Sequence, residues 1–171
     1  LKDINYGVNC VVGQAYHNTY LFNKIAGNIS NAKRSNPEEF KQMLLNQANL
    51  IQEELNEFIK ALEDDNPIEQ LDGASDCIVT VAGLMQILET RYQAESALLE
   101  VSENNLTKFV QLRNKDIQNI VQLTCEKYKK EGNPVEVVYA EEYGCLVFVD
   151  EVTRKIKKPL GYKPVDLSSF V

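Results

Sequence analysis

Between Gln52 and Leu88 the chain reads QEELNEFIKALEDDNPIEQLDGASDCIVTVAGLMQIL, two helical patterns broken by Asp64-Asp65-Asn66-Pro67. Each pattern carries carboxylates at helical spacing: Glu53, Glu54 and Glu57 in the first, Glu69, Asp72 and Asp76 in the second. At about 100° per residue the three glutamates fan over a sector of about 100°. That sector borders an apolar stripe of Leu44, Ile51, Leu55, Phe58 and Leu62. The three acids of the second pattern fall within about 60° of one another. If Asn66-Pro67 is a tight turn, the helices pack antiparallel and the two acidic faces can meet.

Carboxylates gathered beside an apolar seam repel one another unless something positive sits among them. A hard divalent cation is the economical candidate. Mg²⁺ takes oxygen ligands, keeps several waters, and is shared between one or two carboxylates and substrate phosphates. The competing reading is a solvated acidic face, the usual meaning of a charge run on a helix. It remains open for Glu53 and is weaker for Glu54 and Asp76, each of which adjoins the apolar stripe of its own helix. Glu69 reads as a cap acid, because Asn66-Pro67-Ile68-Glu69 is an N-cap, a Pro at N1 and an acid at N3.

Glu53-Glu54-Leu55-Asn56-Glu57 matches the E-E-x-x-E signature of the all-α nucleoside triphosphate pyrophosphohydrolases. That superfamily includes MazG, the phosphoribosyl-ATP pyrophosphohydrolases and the dimeric dUTPases. Its second signature, E-x-x-D, has its Asp in Asp76, but Gly73 stands where the Glu would be. Asp72, one residue earlier, shares a face with Asp76 at i, i+4 and can substitute; the segment is similar to that of phage-type members. Leu99 to Phe109 resembles the E-V-x-x-S-N-x-x-K-F helix of the same family, with Asn105 and Lys108 at i, i+3. The tail from Arg154 to Tyr162 resembles the G-K-x-x-K-P-x-x-Y tail of phage-type members, with Arg154 replacing the Gly.

The resemblance implies a mainly α fold, an antiparallel four- to five-helix bundle with a small C-terminal β-hairpin, in a single domain. It implies Mg²⁺-dependent hydrolysis, with Mn²⁺ as a substitute, of a (deoxy)nucleoside triphosphate to the monophosphate and pyrophosphate. Glu54, Glu57, Asp72 and Asp76 would hold the metal, and Glu53 and Glu54 would be the catalytic carboxylates. Asn105 and Lys108 would contact substrate phosphates, the amide as a donor and the ammonium as a point charge. The assembly would be a homodimer or homotetramer. Two other readings are a phosphoribosyl-ATP pyrophosphohydrolase-like enzyme and a non-catalytic helical interaction module. A ferritin-type di-iron bundle needs two Glu-x-x-His motifs, which a chain whose one histidine is His17 does not have.

Composition is consistent with this. A chain of 171 residues that is 44% hydrophobic can build a real core. Its net charge of −7 disfavours binding to a nucleic-acid backbone. An acidic protein that handles polyphosphates needs a metal between the two. No run of 18 or more apolar residues exists, so no membrane span is expected, and no signal peptide is expected either. Cys10, Cys77, Cys125 and Cys145 lack C-x-x-C spacing and read as free thiols in a reducing compartment. The expected location is the cytoplasm, the host's if the protein is viral.

In order along the chain, the periodicity predicts a helix from about Val8 to Ile25, with Val12, Ala15, Tyr16, Thr19, Leu21 and Phe22 as candidate buried positions. His17 on it reads as a surface or half-buried imidazole rather than a ligand. A polar loop follows from Gly27 to Ser35. Helices are then expected from Pro37 to Asp64, Pro67 to Tyr92, Ala94 to Leu112 and Lys115 to Lys130, the helical core closing near residue 131. The third of these five is apolar nearly all round, which implies burial in a bundle or against a second subunit. Val135–Tyr139 and Cys145–Val149 predict the hairpin. The basic tail from Lys155 reads as solvated, or as reaching a neighbouring subunit or a substrate phosphate.

Overall fold

A computed structural model of the chain describes residues 11–29 and 36–171, apart from the side chains at 11 and 12. Cys10, the Val12 side chain, the first residues of the expected opening helix and residues 30–35 of the expected loop lie outside the described residues. The described residues form two compact units. One runs up to Ala97 and takes in Ser168–Val171; the other is Leu98–Leu167. The expectation was a single domain, a helical core to about residue 131 followed by the hairpin and tail; the fifth expected helix groups with the hairpin, its apolar face packed on the sheet.

The first unit holds α1 (Val11–Ile25), α2 (Pro37–Glu63), α3 (Pro67–Glu89) and the first turn of α4 (Ala94–Leu106). The caps explain the boundaries. The Asn36 side chain accepts from the N–H groups of Glu38 and Glu39, and the Asn66 side chain accepts from those of Ile68 and Glu69, each with Pro at N1. At the end of α2, Asp65 enters the left-handed region at φ 49°, which lets Asp65 N–H reach Leu62 O and Asn66 N–H reach Ala61 O. This is a Schellman closure. The Asn66 N–H that a Glu69 carboxylate would take in a capping box is therefore already used, so Glu69 caps only through its own N–H.

Along α2 the buried and half-buried positions are Phe40, Leu44, Gln47, Ile51, Glu54, Phe58 and Ala61, with Met43 beside Leu44. They alternate in steps of four and three, the spacing of a helix–helix seam. The stripe drawn from hydrophobicity differs: Leu55 and Leu62 are 41% and 47% exposed, and Gln47 and Glu54 stand in the seam. The matching side of α3 carries Glu69, Gly73, Asp76, Thr80, Gly83 and Ile87 in the same steps. A Cβ on Gly73 would lie 3.0 Å from Phe58 Cα, so the absent side chain sets how closely the two backbones approach. Thr80, Gly83 and Ile87 continue the acidic face as slender packing positions.

By length and composition α3 could cross a membrane, which the sequence scan for unbroken apolar runs did not register. Its inner side is engaged by α2. On the opposite side Leu71 and Ile78 are 72% and 59% exposed, with Ala82 and Met85 half-buried.

The second unit is built on a four-stranded antiparallel sheet: β1 (Val110–Gln111), β2 (Val135–Ala140), β3 (Cys145–Asp150) and β4 (Ile156–Lys157). β3 is central, pairing with β2 along one edge and with β1 and β4 along the other, and all six of its residues are buried. The hairpin is thus as expected, with Glu141–Tyr143 and the left-handed Gly144 at its turn. The two short strands were not expected; β1 occupies residues read as the end of the fourth helix, which stops at Leu106. α5 (Ile117–Lys130) lays Ile117, Ile120, Val121 and Tyr128 against a core of Val110, Leu146 and Phe148. Gly132, at φ 75°, closes it.

The basic tail is anchored to this fold, although Lys155 and Lys158 are exposed. Pro159 is buried, Leu160 N–H donates to the Oγ1 of fully buried Thr124 at 2.9 Å, and Tyr128 OH donates to Lys158 O at 3.1 Å. Lys157 pairs with buried Asp150 at 3.0 Å. Cys77, Cys125 and Cys145 are free thiols; Cys145 is buried and the other two are half-buried.

Candidate active site

The α2–α3 seam puts five of the expected carboxylates within electrostatic reach of one another. Glu54 and Asp76 are half-buried, and Glu53, Glu57 and Asp72 are exposed around them. The Glu54 carboxyl is held above the usual glutamate range. Burial is the largest cause, followed by the negative charges of Asp76, Glu57, Glu53 and Asp72. Two of those four neighbours belong to the other helix, so the meeting of the acidic faces expected from the sequence does occur. It follows from the turn and from Gly73, which lets α3 lie against α2 at the level of Phe58, one turn from Glu54.

Among the described residues no three Asp, Glu, His or Cys side chains converge closely enough to grip an ion unaided. The donor set suits a cation that takes only one or two protein carboxylates and fills its remaining positions with water and phosphate oxygens. A cation needing an all-protein cage does not fit.

One turn beyond Glu57, Lys60 lines a polar cavity of about 320 Å³ together with Glu57, Asp64 and Glu69. The sequence reading passed over Lys60. Its i, i+3 spacing from Glu57 was the available signal, since it places an ammonium on the acidic side of α2.

In the other direction the seam becomes amide-rich. Gln47 Nε2 donates to Thr80 O at 2.8 Å, and Thr80 Oγ1 donates to Asp76 O at 2.8 Å. Asn23 Nδ2 donates to Gln86 Oε1 at 3.2 Å, and Gln86 Nε2 donates to Tyr16 O at 2.9 Å, tying α1 to α3. Asn23, Gln47 and Gln86 are all buried, and Gly83 makes the room: a Cβ there would stand 2.9 Å from Gln47 Nε2. None of these three amides was singled out from the sequence, because a scan for apolar periodicity skips polar residues. The Tyr16 hydroxyl is pushed to a higher pKa, first by burial and then by its hydrogen bond to Glu95 at 2.8 Å. His17 is exposed, as a surface imidazole would be.

Asn105 and Lys108 lie in the second unit, just at and after the end of α4. Their i, i+3 spacing does bring them together, with Lys108 Nζ donating to Asn105 Oδ1 at 2.7 Å. The neighbouring Asn104 holds the tail instead, donating to Lys163 O at 2.9 Å and accepting from the Tyr162 hydroxyl.

Two antiparallel helices bring these acids together along a glycine-spaced seam. Residues 22–95 match the family model for phosphoribosyl-ATP pyrophosphohydrolase, a family of the MazG-like all-α pyrophosphohydrolase superfamily. The matched residues contain Glu53, Glu54, Glu57, Asp72 and Asp76 and end within the first turn of α4; Asn105 and Lys108 fall beyond them. No curated protein and no solved structure matches the chain. The match supports a nucleotide pyrophosphohydrolase-like function for this segment.

Proposed function

We propose that the chain is a Mg²⁺-dependent enzyme that hydrolyses a nucleoside triphosphate, a deoxynucleotide foremost, to the monophosphate and pyrophosphate. The observation that supports it is Glu54, a carboxyl in a helix seam facing Asp76 with three further acids around it and its charge unneutralised. Evolution keeps such an arrangement at a cost in stability only where the charges have work to do. Glu54, Glu57, Asp72 and Asp76 are the candidate ligands in this reading, one or two of them touching the ion and the others acting through its waters, with Mg²⁺ or Mn²⁺ supplying phosphate-charge neutralisation and a more acidic bound water. Glu53, exposed beside Glu54, takes the proton of the attacking water. Asn105 and Lys108 hold the triphosphate, Lys108 as a point charge that the Asn105 oxygen keeps oriented.

A second copy of the chain completes the assembly, as a homodimer or homotetramer. Leu71, Ile78, Ala82 and Met85 form an apolar stripe on α3 opposite its α2-facing side, and the exposed Leu55, Ile59 and Leu62 form another on α2. Two stripes on adjacent helices match the self-complementary patch of a two-fold interface.

The family match favours one competing substrate, phosphoribosyl-ATP. A panel of ribo- and deoxyribonucleoside triphosphates and phosphoribosyl-ATP, with Mg²⁺ and with chelator, decides between them when scored for monophosphate and pyrophosphate. Turnover of a deoxynucleotide above the others supports the proposal. Turnover of phosphoribosyl-ATP alone replaces it with the second reading, and no turnover of any leaves a helical binding module.

A further inference from the structure

The second unit contains a cleft of about 420 Å³, inside the range of about 300–1,000 Å³ typical of small-ligand sites. Its walls are residues from two stretches, 104–114 and 159–163, with Ile120 of α5 between them in sequence. They are fastened to each other through Asn104, whose side chain bonds both Lys163 O and the Tyr162 hydroxyl. Leu160 is anchored separately on Thr124. The cleft is thus a built feature of the tail that the sequence marked as basic, and nothing in the pyrophosphohydrolase reading uses it.

Its chemistry is specific. Buried Val110 and Pro159 supply apolar wall, and Phe109 and Tyr162 supply rings. Gln111 and Lys163 are exposed at the cleft, and Lys163 makes no ion pair among the described residues. Among the described residues no carboxylate lines it, although the chain carries a net charge of −7. Rings and apolar wall take the face of a planar heterocycle. A primary amide offers both donors and an acceptor to the edge of a base. A single free ammonium takes a single anionic group.

We propose that this cleft binds a nucleoside monophosphate, through residues wholly different from those of the acidic seam. One ammonium suits one phosphate better than three.

The test is calorimetric titration of the full chain with the ribo- and deoxyribonucleoside monophosphates in the presence of EDTA, which removes any binding that depends on a divalent ion. Saturable binding of at least one monophosphate is expected. Lys163→Glu should weaken it by about ten- to a hundredfold, the usual range for a charge-assisted contact, and the matching nucleoside without phosphate should bind equally weakly. Lys163 serves the fold only through its backbone carbonyl, so this variant should keep the wild-type melting temperature. Gln111→Leu, which leaves the charge in place, should change the order of preference among bases. Glu54→Gln should leave the Kd within about twofold. Absence of saturable binding at millimolar ligand overturns the proposal, as does binding that Glu54→Gln abolishes and Lys163→Glu spares. A chain that hydrolyses no triphosphate is still expected to bind here, so this inference and the catalytic reading fail separately.

Discussion

Replacing Glu54 by Gln removes one negative charge from a seam where four others surround it. Because the native carboxyl titrates above the ordinary glutamate range, the folded chain binds a proton that the unfolded chain has already released. Stability therefore falls as pH rises from the ordinary value through the raised native one, and above that window the full repulsion is present. Glu54→Gln should flatten this slope and raise the melting temperature of the metal-free protein at neutral pH. The same variant should lose about a hundredfold or more of its turnover. Mg²⁺ at a hundredfold excess over its Kd should stabilise the wild type by about 2.7 kcal/mol, or about 5–11 °C for a chain of this size, and the variant hardly at all. Full turnover by Glu54→Gln at ordinary Mg²⁺ would sink the assignment. Asp150 has the opposite sign. The Thr153 N–H, the Lys157 ammonium and the Val152 N–H hold its carboxyl well below the aspartate range. Its contribution is present above the unfolded value and is lost as pH falls toward the native one. Asp150→Asn should thus destabilise the second unit at pH 7, with the gap to wild type closing in urea melts taken in strong acid. Of these two residues Glu54 was legible in the sequence, through a signature and its nearness to an apolar stripe. Asp150 was not, since its partners are set by the turn after β3.

At the scale of elements the Gly73 contact makes a sharp prediction. A side chain there meets the backbone of Phe58, which cannot rotate aside. Alanine gains about 1 kcal/mol of helix propensity over glycine, while overpacking costs about 1–3 kcal/mol. The net for Gly73→Ala is therefore small, but Gly73→Val loses the propensity gain and adds bulk. We expect Gly73→Val to lower the melting temperature and to cut turnover further than its stability loss explains, by widening the Glu54–Asp76 spacing. A valine variant with wild-type stability and kcat/KM would contradict the close approach. The helices themselves were readable from caps and punctuation, as Asn36-Pro37 and Asn66-Pro67 demonstrate. Leu44, Ile51 and Phe58 of the expected stripe do lie in the seam, while Leu55 and Leu62 stand one position past Glu54 and Ala61, because the true steps pass through polar Gln47 and Glu54, where hydrophobicity breaks. β1 was missed for a different reason: a two-residue strand has no local pattern and exists through its pairing with Leu146 and Cys145, far along the chain.

For the whole molecule the exposed stripe on α3 carries the expectation of self-association. Ile78 lies at its middle and is 59% exposed. Ile78→Glu should turn a dimer or tetramer into monomers in light scattering at micromolar concentration, with little change in helix content. A wild-type protein that is already monomeric there would remove the proposed second copy. The chain's division into units was not legible, because α4 runs unbroken across the boundary and no linker composition marks it.

Asn66 ends one helix and begins the next: its N–H closes α2 on Ala61 O, and its side chain receives the first N–H groups of α3. The last turn of α2 and the first turn of α3 accordingly cannot fray independently, since either opening breaks the bonds of the same residue. In native-state hydrogen exchange the amides of Asn66, Ile68 and Glu69 should open with a common free energy, as one cooperative unit. Asn66→Ala, which spares the backbone bond and removes the side-chain acceptor, should split them, leaving residue 66 protected while 68 and 69 exchange faster.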